Sequence, residues 1–76
     1  MRIKAKTCDW GKEDNNTWHD KTHGMSIVLR LEFDEYYAEF NEVIGEYFKT
    51  LQEAKDWCQS EMDDYINVHG VIETEQ

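Results

Sequence analysis

The fold of this chain is decided by the stretch Phe48-Lys49-Thr50-Leu51-Gln52-Glu53-Ala54-Lys55-Asp56-Trp57, in which an apolar strand runs into a capped helix. Thr50 and Glu53 have the S/T-x-x-E spacing of a capping box, where the hydroxyl accepts from the Glu backbone N–H and the carboxylate returns to the Thr backbone N–H. Apolar residues then recur at helical spacing, namely Leu51, Ala54, Cys58, Met62, Tyr65 and Ile66. This stripe predicts an amphipathic helix from residue 51 to about 67, with Gly70 as a stop signal.

The residues before this stretch predict strands. From Met25 to Phe33 every odd position is apolar, and Ser26, Arg30 and Glu32 hold the even positions with Val28 as an exception. A period of two indicates a strand with one buried face. Similar alternation, with turns at 34–35 and 41–42, predicts further strands at about residues 36–40 and 43–48. A short strand is also predicted at about residues 2–8.

These elements predict a two-layer α+β domain, in which an antiparallel meander of three or four strands packs on one C-terminal helix. Seventy-six residues make a single domain, 1–76. The polar segment from Asp9 to Gly24 predicts a long loop or a loose hairpin. Trp10 and Trp18 interrupt it, and we expect them to cover the core rather than project as interface anchors.

Acidic charge dominates the composition, with 17 acidic and 8 basic residues and a net charge of −9. The charge is uneven, because residues 31–76 contain thirteen acids but only Lys49 and Lys55 as bases, which gives −11 for this half. Such a surface repels phosphate, so direct nucleic-acid binding is not expected. It attracts basic surfaces, including those of proteins that themselves bind nucleic acid. The alternative is that the acids only keep the protein soluble.

The run from Tyr37 to Lys55 resembles a pattern that recurs in small phage and prophage proteins. There, a Tyr-Ala-Glu strand, a tight turn and an Ile-Gly-x-Phe strand lead into Thr-Leu-x-Glu-Ala-Lys. The resemblance covers about a quarter of the chain and implies a phage origin and a sheet-plus-helix fold. Small acidic phage proteins include inhibitors of host defence, among them anti-CRISPR proteins, which typically occlude a basic nucleic-acid channel.

The hypothesis that follows is a non-enzymatic, phage-type inhibitor that mimics nucleic acid and binds a basic host protein complex, such as a CRISPR effector. The distance between carboxylates three or four residues apart on a helix is comparable to the distance between successive phosphates along a nucleic-acid strand. Glu53 begins such a row, but the cap also claims it. The candidate partner-binding residues are therefore Glu32, Asp34, Glu39, Glu42, Glu46, Asp56, Asp63 and Asp64. The alternative is an accessory or structural phage domain without an occluding role.

Catalytic and metal chemistry receive little support from the sequence. Cys8 and Cys58 lack a Gly-rich turn that could form an oxyanion pocket, and there is no P-loop or dinucleotide fingerprint. We therefore expect no catalytic residue, no metal and no cofactor. The alternative here is a zinc-stabilised module, because His19 and His23 have the H-x3-H spacing of a ligand pair and the two cysteines could join them.

The cellular setting is expected to be the host bacterial cytoplasm, with both cysteines as free thiols. The longest apolar run, Ile27-Val28-Leu29, is far too short to cross a bilayer. No membrane partner is therefore expected. An exposed sheet edge would allow a homodimer by strand pairing.

Overall fold

The computed structural model describes residues 5–40 and 44–69, for the last of which only the backbone is described. Five strands precede one helix: β1 (Trp10–Lys12), β2 (Thr17–Asp20), β3 (Ser26–Arg30), β4 (Glu35–Phe40), β5 (Ile44–Phe48) and α1 (Leu51–His69). The predicted helix at about 51–67 is confirmed and extends to His69. Its predicted stop signal, Gly70, lies outside the described residues.

The strands form one antiparallel sheet in the order β1-β2-β3-β4-β5. Each strand therefore pairs with the next one in the chain, which is a meander with β1 and β5 at its edges. The predicted α+β class is confirmed, although the described sheet has five strands rather than three or four. The additional strands come from the segment that was predicted to be a loop or loose hairpin.

Helix α1 lies on the sheet face that carries Ile27 and Ala38, which are cross-strand partners and fully buried. Ala54 and Cys58 of α1 are buried against them, as the apolar stripe predicted. Ring contacts join the two layers at both ends, since Phe48 lies 5.8 Å from Trp57 and Phe40 lies 5.7 Å from Tyr65, measured between centroids. The hydrophobic effect of this burial holds helix and sheet together.

The start of α1 is capped by Thr50, as the sequence predicted. The Glu53 backbone N–H donates to Thr50 Oγ1 at 3.1 Å, and the Thr50 hydroxyl donates to Glu53 Oε1 at 3.0 Å. The carboxylate thus returns to the cap through the hydroxyl of Thr50. Because the Glu53 carboxylate already accepts this hydrogen bond, it is a weaker candidate for binding a partner.

Residues 5–8 do not form the predicted strand, and residues 2–4 of that prediction lie outside the described part. This segment instead runs alongside α1. The backbone N–H of Cys8 donates to Gln59 Oε1 at 2.9 Å, and Gln59 Nε2 donates to the Lys6 carbonyl at 3.2 Å. Helix side chains therefore satisfy backbone groups that a neighbouring strand would otherwise pair.

A short hairpin of β1 and β2 occupies most of the segment between Asp9 and Gly24, so of the two predicted alternatives, a long loop or a loose hairpin, the hairpin is confirmed. In its turn, the Glu13 N–H donates to the Thr17 carbonyl at 2.9 Å, and the Asn16 N–H donates to the Asp14 carboxylate at 2.8 Å. Trp10 and Trp18 are half-buried and pack against the core cluster, as expected. These tryptophans, together with the pairing of β2 with β3, attach the hairpin to the rest of the protein.

Strand β3 is shorter than predicted, and the expectation that Leu31 and Phe33 face the core is wrong. Both residues lie in the turn between β3 and β4, where their side chains are 69% and 54% exposed. The Phe33 N–H donates to the Arg30 carbonyl at 3.1 Å, and Asp34 has a φ of 52°. The chain reverses here because a left-handed residue, which Asp tolerates better than most, closes the turn.

Candidate partner-binding surface

The second face of the sheet lies opposite α1, and no element of the described chain packs on it. Side chains alternate along a strand, so residues flanking Ile27 and Ala38 point to this open face. The register places Val28 beside Tyr37 and Tyr37 beside Tyr47, across three neighbouring strands. Because these positions would normally be polar in a sheet with one buried face, their apolar character is unusual.

Aromatic rings and one guanidinium form the centre of this face. The rings of Tyr37 and Tyr47 have centroids 4.9 Å apart, and Arg30 donates from Nη1 to the Tyr47 hydroxyl at 2.9 Å. The ring of Tyr37 covers the backbone of Gly45, leaving no room for a Cβ there. Glycine at this position therefore allows the ring of Tyr37 to pack closely on the backbone of β5.

The cluster continues into the β3–β4 turn through Phe33. The Arg30 guanidinium carbon lies 4.7 Å from the Phe33 ring centroid and 5.6 Å from that of Tyr47, so it contacts both rings. Phe33, Tyr47 and Val28 remain 54%, 47% and 38% exposed. Partly exposed aromatic residues and arginine are the residue types enriched at protein–protein interfaces.

Three of the predicted partner-binding acids lie on or beside this face. Glu32 and Asp34 are exposed in the β3–β4 turn, on either side of Phe33. Glu39 is half-buried on the open face, where its cross-strand partners are Ser26 and Gly45. Glu42 lies outside the described residues. The open face thus combines an aromatic centre with carboxylates at its border.

The remaining predicted acids lie on the helix side of the molecule. Glu46 is exposed and shares the face of Ala38, while Asp56 and Asp64 are exposed on α1. Asp56 accepts a hydrogen bond from Gln52 Nε2 at 2.8 Å. Asp63 is half-buried and accepts from the Ala5 N–H at 2.7 Å. The structure therefore distributes the predicted acids over two sides of the sheet rather than gathering them in one patch.

Neither cysteine has the environment of a nucleophile. Burial, together with the negative charge of Asp20, raises the pKa of Cys8 and that of Cys58 to about 12. Both cysteines are free, and Cys58 is buried in the core as expected. Because the thiolate is the nucleophile, free thiols with such pKa values are weak nucleophiles near neutral pH.

The predicted zinc ligands are not brought together as a set. His19 lies on the open face as the cross-strand partner of Ser26, whereas His23 lies in the β2–β3 turn. Among the described residues, the donors close enough to share an ion are those of Cys8, Asp20 and His23. Sequence reasoning missed Asp20, although the Asp-x-x-His spacing of residues 20 and 23 could have drawn attention to it.

Sequence reasoning also missed the open face as a surface, because the alternation around Tyr37 and Tyr47 predicts strands without indicating which face stays uncovered. The signal available was the presence of apolar residues on both parities of β4, at Tyr36 and Tyr37. A strand with apolar residues on both faces either has both faces covered by other elements or leaves one apolar face exposed.

Comparison with known proteins adds no relative to this description. No protein-family model, curated protein or solved structure matches the chain. Within the described residues, no helix has the length and apolar character needed to cross a membrane.

Proposed function

We propose that this protein is a non-catalytic binding protein that inhibits a basic, nucleic-acid-handling protein complex of a bacterial host. The observation that carries the proposal is the open sheet face, where exposed aromatic residues are bordered by Glu32, Asp34 and Glu39. Large exposed apolar patches with a polar border mark interaction sites more often than simple surface. The acids select a basic partner, and the aromatic residues supply the buried contact.

The charge distribution supports the same partner class. Residues 31–76, which include β4, β5 and α1, have a net charge of −11 in sequence, and this charge attracts surfaces that hold nucleic-acid backbones. Lys49 forms an ion pair with Glu35, 3.5 Å between Nζ and Oε1, at the same end of the sheet as Glu32 and Asp34. Lys49 is exposed and Glu35 is half-buried, and their ion pair leaves the carboxylates of Glu32 and Asp34 in the turn uncompensated by Lys49.

CRISPR effector complexes are the first members of this class to examine, because small acidic phage proteins, the class that the resemblance suggests, include inhibitors of host defence. An inhibitor of this kind would occupy a channel that normally holds nucleic acid and would act in the bacterial cytoplasm. Its complex would form faster at low salt and compete with nucleic acid. The alternative function, an accessory phage domain, requires neither property.

The test is capture of partners from nuclease-treated bacterial lysate on the immobilised protein at low and at high salt. Two variants with the same change in charge separate the faces. E32K/D34N alters the border of the open face, and D56N/D64K alters exposed positions of α1. We expect salt-sensitive capture of nucleic-acid-handling proteins, retained by D56N/D64K and lost by E32K/D34N.

A second pair of measurements makes the result specific. The captured complex should be displaced by added nucleic acid, and F33A should weaken it because Phe33 is the most exposed aromatic ring of the open face. Capture of no nucleic-acid-handling protein, or equal binding by the two charge variants, would contradict the proposal. Circular dichroism of each variant establishes that the fold is retained.

A further inference from the structure

Three potential metal ligands meet beneath the N-terminal segment, on the side of the sheet opposite the open face. Cys8 comes from the segment before β1, Asp20 from the end of β2, and His23 from the β2–β3 turn. We propose that these three side chains form a binding site for a divalent transition-metal ion, with Zn²⁺ as the metal that their chemistry favours. The proposal is independent of the partner-binding function.

The donor atoms are already close to the required spacing. One sulfur, one carboxylate oxygen and one imidazole nitrogen all lie within 4.8 Å of one another. In tetrahedral zinc sites, bonds of 2.0–2.3 Å place neighbouring ligand atoms roughly 3.3–3.8 Å apart. Side-chain rotations that move the donors by about 1 Å therefore suffice to close the site around an ion.

Asp20 is held in place for this role. Its side chain is fully buried. Oδ1 accepts the N–H groups of Asp9 and Thr22, both at 2.9 Å, and Oδ2 accepts that of His23 at 3.0 Å. An ionised carboxylate has about four acceptor positions, so these three backbone donors leave one position for a further partner. Its three backbone donors are neutral, and a cation would compensate its buried charge.

His23 is oriented by a backbone carbonyl in the manner of a metal-bound histidine. Its Nε2 lies 2.9 Å from the Lys6 carbonyl oxygen. A carbonyl only accepts, so this hydrogen bond places the proton of the ring on Nε2. Ligating histidines usually donate their other N–H to a carbonyl or carboxylate, which fixes the tautomer and the ring orientation.

The ligand set identifies the class of ion. A thiolate with an imidazole and a carboxylate suits Zn²⁺, whereas Mg²⁺ and Ca²⁺ require oxygen ligands. Binding would displace the proton of the Cys8 thiol to solvent, one proton for each ion, and form a metal–thiolate bond. Water would complete the tetrahedron. Cys8 also lines a cleft of about 240 Å³ with Trp10, Lys55 and Asp56.

The test is titration of metal-free, reduced protein with Co²⁺ and Zn²⁺. We expect one equivalent of Co²⁺ to produce thiolate-to-cobalt charge-transfer absorption, and one equivalent of Zn²⁺ to abolish it. Zn²⁺ should also raise the thermal midpoint of unfolding. H23Q should weaken Zn²⁺ affinity by at least about tenfold. H19Q is the matched control, because His19 lies on the opposite face and should bind as the wild type does.

The cysteines provide a second comparison. C8S should lose the charge-transfer absorption, whereas C58A should retain it. If C8S does not fold, the comparison of H23Q with H19Q decides. Absence of thiolate absorption in the wild type, or equal Zn²⁺ affinity in H23Q and H19Q, would overturn the proposal.

Discussion

The Asp63 carboxylate accepts a hydrogen bond from the backbone N–H of Ala5 at 2.7 Å, although the two residues are 58 positions apart. Ala5 is fully buried, so this bond satisfies a donor that water cannot reach. From the sequence, Asp63 and Asp56 were both candidate partner-binding residues on the predicted helix. The structure gives the two residues different surroundings, since Asp63 binds the N-terminal segment and Asp56 is exposed.

Replacement of Asp63 by alanine should therefore destabilise the protein. D63A leaves the Ala5 N–H without its acceptor, at a cost of about 1–3 kcal/mol in the free energy of unfolding. D56A is the matched control, because Asp56 is exposed and contacts Gln52 within the same helix, so its change should stay within about 0.5 kcal/mol. Urea denaturation of both variants measures the difference. Equal midpoints would show that the Ala5 bond contributes nothing.

Asp20 should be the most sensitive acidic residue for stability. In the wild type, three backbone N–H groups donate to the charged carboxylate of Asp20, and D20N places an amide opposite them. We expect D20N to lower the free energy of unfolding of metal-free protein by about 3 kcal/mol or more. D9N is the control, because the Asp9 side chain is exposed. Thermal unfolding monitored by circular dichroism compares them. A D20N midpoint close to that of D9N would contradict the structural role.

The contact of Tyr37 with Gly45 predicts a coupled pair. G45A should lower the free energy of unfolding by about 1–3 kcal/mol, because a Cβ would overlap the Tyr37 ring. In a Y37A background the ring is absent, and the same substitution should be neutral or stabilising, since alanine loses less backbone entropy than glycine. A double-mutant cycle from denaturant melts measures the coupling. Additive effects would mean that the ring does not require glycine there.

The raised pKa values of Cys8 and Cys58 predict a loss of stability at alkaline pH. Their folded-state pKa values are raised from 9.0 to about 12, so the unfolded chain gives up these protons first. The unfolded state then binds fewer protons, and the free energy of unfolding falls as pH rises from about 9 toward 12. Below pH 9 both states hold the protons, and this contribution to stability is fully present.

The C58A variant isolates this contribution, because tyrosine and lysine titrations are common to both proteins. Urea melts across this alkaline range should show a shallower decline for C58A than for the wild type. A parallel decline would contradict the raised pKa of Cys58. Thiol labelling near neutral pH provides a further measurement, with slow reaction in the folded protein and fast reaction in denaturant.

Much of the fold could be predicted because its signals are local. The cap at Thr50, the helical stripe from Leu51 and the alternation around Ile27 each depend on neighbouring residues. Where the signal was ambiguous, the prediction was less accurate. Leu31 and Phe33 continued the alternation of β3, but the turn closed by Asp34 removed them from the strand.

The candidate surfaces were harder to predict, because the sheet places residues that are close in sequence on opposite faces. Sequence spacing grouped His19 with His23 and Asp63 with Asp56. The sheet places His19 on the face opposite Asp20, and the N-terminal segment recruits Asp63. Proximity between Cys8, Asp20 and His23 arises only when the segment before β1 meets the β2–β3 turn.

The sequence by itself determined the class of fold, the position of the helix and the acidic character of the chain. Capping, periodicity and charge are properties of local sequence, so they survive without knowledge of distant contacts. Only the tertiary structure decided that residues 5–8 lie along α1, that Tyr37 and Tyr47 form an open aromatic face, and that Asp20 is buried. Those outcomes depend on which distant groups satisfy each backbone donor and each buried charge.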